Sequence, residues 1–178
     1  MGAFPGRTTR SLRLTKFVII FDLSMDYLLD TNIIVIYSRE SEIADRIEEK
    51  FQFFDKKNSL VISIVTLGEL DALIKKLKLG EKRKRKISRI LDSVAKIGLD
   101  HKEIISRYGD IDAFSQGKIQ HSGEKFSSRN MGKNDMWIAA TASVFDLTLI
   151  TTDQDFDHLN GVYIHLERID IEDFKKER

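Results

Sequence analysis

Cysteine is missing from all 178 residues, which excludes disulfides, thiolate zinc sites, thiol nucleophiles and thiol redox couples. That absence suits a reducing cytoplasm, the expected location. Long apolar runs are missing too. The segment Phe17-Val18-Ile19-Ile20-Phe21 falls far short of the ~18 residues of a membrane span, and no small-residue cleavage site follows it. Neither membrane insertion nor export is expected. Internal repeats and low-complexity tracts are absent, and His101, His121, His158 and His165 show no H-x-x-x-H spacing of a metal site.

What is present fits one compact domain: 42% hydrophobic content and a length close to the usual domain size. A net charge of +1 conceals an uneven distribution. Between Lys75 and Arg89 nine basic residues face Glu81 alone, and the first 24 residues hold Arg7, Arg10, Arg13 and Lys16 against Asp22. Everything else is acidic on balance. Met25 directly precedes a good strand, so residues 1–24 read as a basic and apolar extension attached to a domain over 25–178.

Within that domain, strand and helix patterns alternate. Met25–Asp30, Leu60–Ser63, Leu147–Thr151 and Val162–Leu166 are expected as strands. Thr31–Tyr37, Glu42–Phe54, Thr66–Leu79, Lys82–Lys96, Asp100–Phe114 and Asn134–Phe145 have helical spacing, with a short turn at Asp155–Leu159. The basic helix buries Ile87, Ile90, Leu91 and Val94, and the next one turns Ile104, Ile105, Tyr108 and Ile111 inward. Ser115–Lys133 is polar, glycine-containing and aperiodic, a long mobile loop. Alternation of this kind predicts an α/β fold, a mostly parallel central sheet flanked by helices, with sites beyond the carboxyl ends of its strands.

Four acids fall at such places. Asp30 ends the first strand, Glu69 lies one turn into the helix after the second, Asp135 opens the helix before the third, and Asp153 follows that strand. Each has a plain alternative. Thr66 and Glu69 have the spacing of a capping box, and Asp135 in a first helical turn gains about 0.3–1 kcal/mol from the helix dipole. Asp30 can cap the helix that begins at Thr31, and Asp153 can form a turn, as can Asp155 and Asp157. Trp137, within an apolar helix, reads as core.

The joint pattern is what discriminates. Leu28-Leu29-Asp30-Thr31-Asn32, Ser63 with Thr66 and Glu69-Leu70, Asn134-Asp135-Met136-Trp137-Ile138-Ala139-Ala140-Thr141-Ala142, and Leu149-Ile150-Thr151-Thr152-Asp153-Gln154-Asp155-Phe156 occur in order along residues 25–166. This series resembles the PIN-domain family, particularly VapC-type toxin ribonucleases. The resemblance implies a PIN-like three-layer α/β/α fold and an endoribonuclease using Mg²⁺ or Mn²⁺. It assigns Asp30, Glu69, Asp135 and Asp153 to the acidic quartet, with Asp155 the alternative for the fourth place.

Asp30 and Asp135 are then the principal metal ligands. Glu69 and Asp153 act through water or receive its proton, and Thr31, Asn32, Thr66, Asn134 and Thr152 support them. Hard carboxylate oxygens suit such ions. The resemblance also implies an antitoxin protein as partner and a homodimer. Lys82, Arg83, Lys84, Arg85 and, in the long loop, Arg129 with Asn130 are candidates for contact with RNA. Two other readings differ in class: a non-catalytic RNA- or protein-binding module, and a haloacid-dehalogenase-like phosphatase suggested by Asp22. The second needs an acid where Ser24 stands and is the weaker.

Overall fold

The computed structural model describes residues 26–39, 41–119 and 128–175. The expected extension at residues 1–24 and the middle of the expected long loop lie outside the described residues. Strands β1 (Asp26–Leu29), β2 (Ser59–Ser63), β3 (Ala95–Ile97), β4 (Thr148–Thr151) and β5 (His165–Arg168) form one sheet in the order β3-β2-β1-β4-β5, and every pairing is parallel.

Alternate side chains of each strand enter opposite layers, as the period of two requires. Leu28, Val61 and Leu149 face one core, which α5 (Lys102–Ser115) and α6 (Lys133–Val144) cover. Leu29, Ile62 and Ile150 face the other, covered by α1 (Thr31–Tyr37), α2 (Glu42–Phe51), α3 (Ile64–Leu77) and α4 (Glu81–Ser93). Burial of strands on both faces explains their continuous apolar runs. The result is the three-layer α/β/α architecture.

The path of the chain places the site. From β1 it moves outward to β2 and β3, then returns through α5 and α6 to lay β4 on the other side of β1. The direction of winding thus reverses at β1, and such a reversal opens a crevice at the carboxyl ends of the strands. Asp30 stands directly after β1, Ser63 ends β2 and Thr151 ends β4.

Several boundaries differ from the sequence expectation, for local reasons. The helix expected through Phe54 stops at Phe51 because Gln52 turns left-handed, with φ 52°, and sends Phe53 into the core against Tyr27 and Phe51. The basic helix ends at Ser93 instead of Lys96. Ala95–Ile97 is a strand hidden in the sequence, because Val94 and Ile97 also fit a helical stripe. The helix expected through Leu79 closes at Lys78, which turns left-handed at φ 47°, and Gly80 sits at the N-cap of α4.

His101, rather than Asp100, holds the cap position of α5, and Ile105 on that helix is 54% exposed instead of inward. The last strand lies three residues later than expected at its start, because residues 161–163 form a turn and Ile164 makes only an isolated bridge to Asn160 before β5 registers with β4. A short 3₁₀ segment, Ile171–Phe174, was not legible in the sequence; Phe174 returns to pack near Phe51.

Candidate functional site

Asp30 is built in by the turn from β1 to α1. Its backbone N–H continues the sheet by donating to the Ile150 carbonyl at 3.0 Å, and its side chain caps α1 by accepting from the Thr31 N–H at 2.6 Å. The other carboxylate oxygen accepts from Asn32 Nδ2 at 2.7 Å and from Thr151 Oγ1 at 2.6 Å. Asp30 is only 5% exposed. Burial disfavours its charge, the hydroxyl and amide donors favour it, and Glu69 and Asp153 repel it; burial prevails and raises its pKa to about 6.

Glu69 is not the acid of a capping box. Ser63 caps α3, accepting from the Val65 N–H at 3.3 Å, and Thr66 lies fully buried within the helix. Thr66 Oγ1 has no hydrogen-bond partner among the described residues. The Glu69 carboxylate instead reaches across the crevice. Asn134 Nδ2 donates to Oε1 at 2.8 Å and Thr31 Oγ1 donates to Oε2, so partners 65 and 38 residues away orient it.

Asp135 occupies the first turn of α6 and carries the largest perturbation of the acids. Its pKa is pushed up to about 7, first by burial and then by repulsion from Asp30, Glu69, Asp153 and Asp155 in that order. Four carboxylates from distant parts of the chain therefore act on a fifth. Gly132, at the N-cap of α6, makes room for it: a Cβ there would lie 2.5 Å from Asp135 Oδ2.

Asp153 caps the 3₁₀ turn Gln154–Leu159, accepting from the Asp155 N–H at 2.9 Å. Asp155 is exposed, whereas Asp153 is half-buried. Repulsion from Asp153 reaches both Asp30 and Asp135, while that from Asp155 is felt at Asp135 alone. Asp153 is thus the better placed of the two.

Of the supporting residues, Thr31, Asn32 and Asn134 hold the acids directly. Thr152 contributes only its backbone N–H, donated to Asn32 Oδ1 at 3.3 Å. The residue the sequence did not single out is Thr151. Its hydroxyl donates to Asp30 and accepts from Asn32 Nδ2 and the Asp153 N–H, both at 3.0 Å, joining two acid-bearing segments. A polar residue at the buried end of a strand was the available signal.

The basic candidates divide. Arg83 Nε donates to the buried Ser38 Oγ at 2.9 Å, so this guanidinium is turned into the protein. Lys82 and Arg85 are exposed, and Lys84 pairs with Glu81 at 2.8 Å on the surface. The Arg129 N–H bonds the Ser115 carbonyl at 2.7 Å, anchoring the end of the loop that leads to α6.

The donor set is all hard oxygen, and among the described residues no Lys or Arg pairs with Asp30, Glu69, Asp135, Asp153 or Asp155. Such a cluster is short of positive charge, and its oxygens are of the kind that suits a hard divalent cation. Among the described residues no three potential ligands are already drawn to within ligand reach of one point.

The PIN domain family model matches residues 27–162. The chain belongs to the PIN-domain family. Among solved structures it is similar to VapBC2 from Rickettsia felis bound to a DNA fragment from its promoter, with 24% identity over 81% of this chain and 98% of that chain and a TM-score of 0.62. It is also similar to VapBC-1 from nontypeable Haemophilus influenzae, with 26% identity, the same coverage and a TM-score of 0.55. These neighbours are toxin–antitoxin proteins of the VapBC type. No curated protein matches.

Two outcomes follow from this geometry. Asp30 and Asp135 titrate higher when folded, about 6 and about 7, than the ordinary 3.8, so the folded state holds more protons across that interval. Their contribution to stability is full below the unfolded pKa and is lost as pH rises through the folded values. Thermal melts of metal-free protein will show Tm falling across that window, and Asp135→Asn will flatten the fall; an unaltered slope would contradict the assignment. Gly132→Ala will keep stability within about 0.5 kcal/mol, as surface changes do, because its φ of −61° and ψ of 144° suit any residue. Its Cβ will nevertheless expel the Asp135 carboxylate, whose NMR titration midpoint will drop toward the ordinary range.

Proposed function

We propose that this chain is a divalent-metal-dependent endoribonuclease, the toxin of a toxin–antitoxin pair acting in the cytoplasm. The observation that carries this reading is the convergence of acid-bearing segments at one crevice: Thr31 bonds both Asp30 and Glu69, Asn134 beside Asp135 bonds Glu69, and Thr151 joins Asp30 to the Asp153 backbone. The VapBC neighbours support an antitoxin as partner. A homodimer belongs to the same proposal. Among the described residues no helix is long and apolar enough to cross a membrane.

Asp30 and Asp135 would hold Mg²⁺ or Mn²⁺, with Asp153 joining directly or through water. When bound, such an ion supplies positive charge that acidifies a water and offsets charge growing on phosphate oxygens. The protein's own contribution is orientation. Asp30 is locked by three donors, so its carboxylate keeps its place when the crevice fills. Glu69 is held at both oxygens by Thr31 and Asn134 and is the group suited to take the proton of the attacking water. Lys82, Lys84 and Arg85 on α4 draw the RNA backbone by charge, without reading sequence.

The double variant Asp30→Asn with Asp135→Asn, assayed on single-stranded RNA with Mn²⁺, will lose about a thousandfold or more in rate, because it forfeits several kcal/mol of ion-borne charge stabilisation. Its circular dichroism will match that of the parent. Undiminished cleavage would exclude the enzyme reading and leave a binding module. Reversal of Lys82, Lys84 and Arg85 to Glu will reduce the salt slope of RNA binding by about 0.7 for each phosphate no longer neutralised; an unchanged slope would make this helix face merely solvated.

A further inference from the structure

A groove of about 650 Å³ runs away from the acid crevice between α3 and α6. Glu69 and Asn134, hydrogen-bonded to each other at 2.8 Å, form its near rim, so the groove continues the site itself. Beyond them its walls turn apolar, lined by Ile64 and Leu73 of α3, Leu99 and Trp137. Lys76, exposed on α3, supplies a cation at its border.

Two details separate this groove from incidental surface. Trp137 follows Asn134 by one helical turn and is half-buried rather than sealed in the core. Its indole stacks on Tyr108 with centroids 4.1 Å apart and planes inclined by 29°, which fixes its orientation. Opposite it, Gly68 interrupts the interior of α3, where glycine weakens a helix relative to alanine. A Cβ at Gly68 would meet nothing within 4 Å, so no packing contact requires the glycine. What its absence of side chain does is keep the groove open.

We infer that this groove is a nucleobase subsite, in which a base of single-stranded RNA next to the scissile phosphate lies against Trp137 while Lys76 meets a phosphate. This rests on the reading that RNA is the substrate. The occupant follows from the lining: an apolar and aromatic middle, a cation at the border, and acids at the end where the chain would be cut. Aromatic side chains bind bases of any identity through their π faces, so the subsite favours unpaired RNA over duplex.

Trp137 is the only tryptophan in the chain and reports directly on its own groove. Its emission is followed while metal-free protein is titrated with single-stranded oligoribonucleotides and, separately, with duplex RNA. Single strands are expected to quench it saturably and duplex RNA to leave it unchanged. Gly68→Leu, which fills the groove from α3, should abolish the quenching. Trp137→Leu should raise KM for single-stranded RNA about tenfold, within the range for loss of one base–aromatic stack, with kcat nearly retained.

Cleavage of RNA with no change in Trp137 emission would overturn the subsite and leave the nuclease intact. Emission that depends on protein concentration alone, indifferent to RNA, would assign the groove to a second copy and also overturn it. Quenching without any cleavage by the parent protein would sustain the subsite while refuting the nuclease.

Discussion

Like charge gathered in one crevice is the constraint around which the rest of this molecule is arranged. Asp30, Glu69, Asp135 and Asp153 come from separate segments, yet each raises or feels the field of the others, and burial sharpens the effect at Asp30 and Asp135. Carboxylates so placed repel, and the fold must hold them there regardless. It does so with neutral donors: Thr31, Asn32, Asn134 and Thr151 point hydroxyls and amides at the acids. Neutral donors orient an anion without cancelling its charge, which leaves the crevice free to attract a cation.

The scaffold sustains this repulsion because the restraining groups sit on rigid elements. Thr151 ends a strand in the middle of the sheet, Asn32 opens α1, and Asn134 opens α6. Two glycines near the acids have opposite tasks. Gly132 accepts the Asp135 carboxylate into space that a methyl group would occupy, whereas Gly68 borders a groove that nothing else fills.

Much of the fold was legible in advance, and particular elements show why. The acid positions could be read because a charge at the end of an apolar strand is costly unless used. Strand β3 could not, since Val94-Ala95-Lys96-Ile97 satisfies a helical stripe and a short strand alike, and only pairing with β2 decides. The Thr66–Glu69 spacing pointed to a capping box, but Ser63 had already ended the strand and taken the cap. Arg83 looked equal to its basic neighbours until its turn of α4 placed it over Ser38.

By itself the amino-acid sequence determined the class of architecture, the order of the acid motifs and the exclusion of thiol chemistry, because periodicity and residue type are local properties of the chain. Only the tertiary structure decided which donors hold which carboxylate, that Thr151 links Asp30 to the Asp153 segment, and that Trp137 packs against the core while also lining a groove. Those are matters of distance between residues up to 121 positions apart, as in the bond from Thr151 to Asp30. No local pattern encodes such distances; the reversal of winding at β1 does.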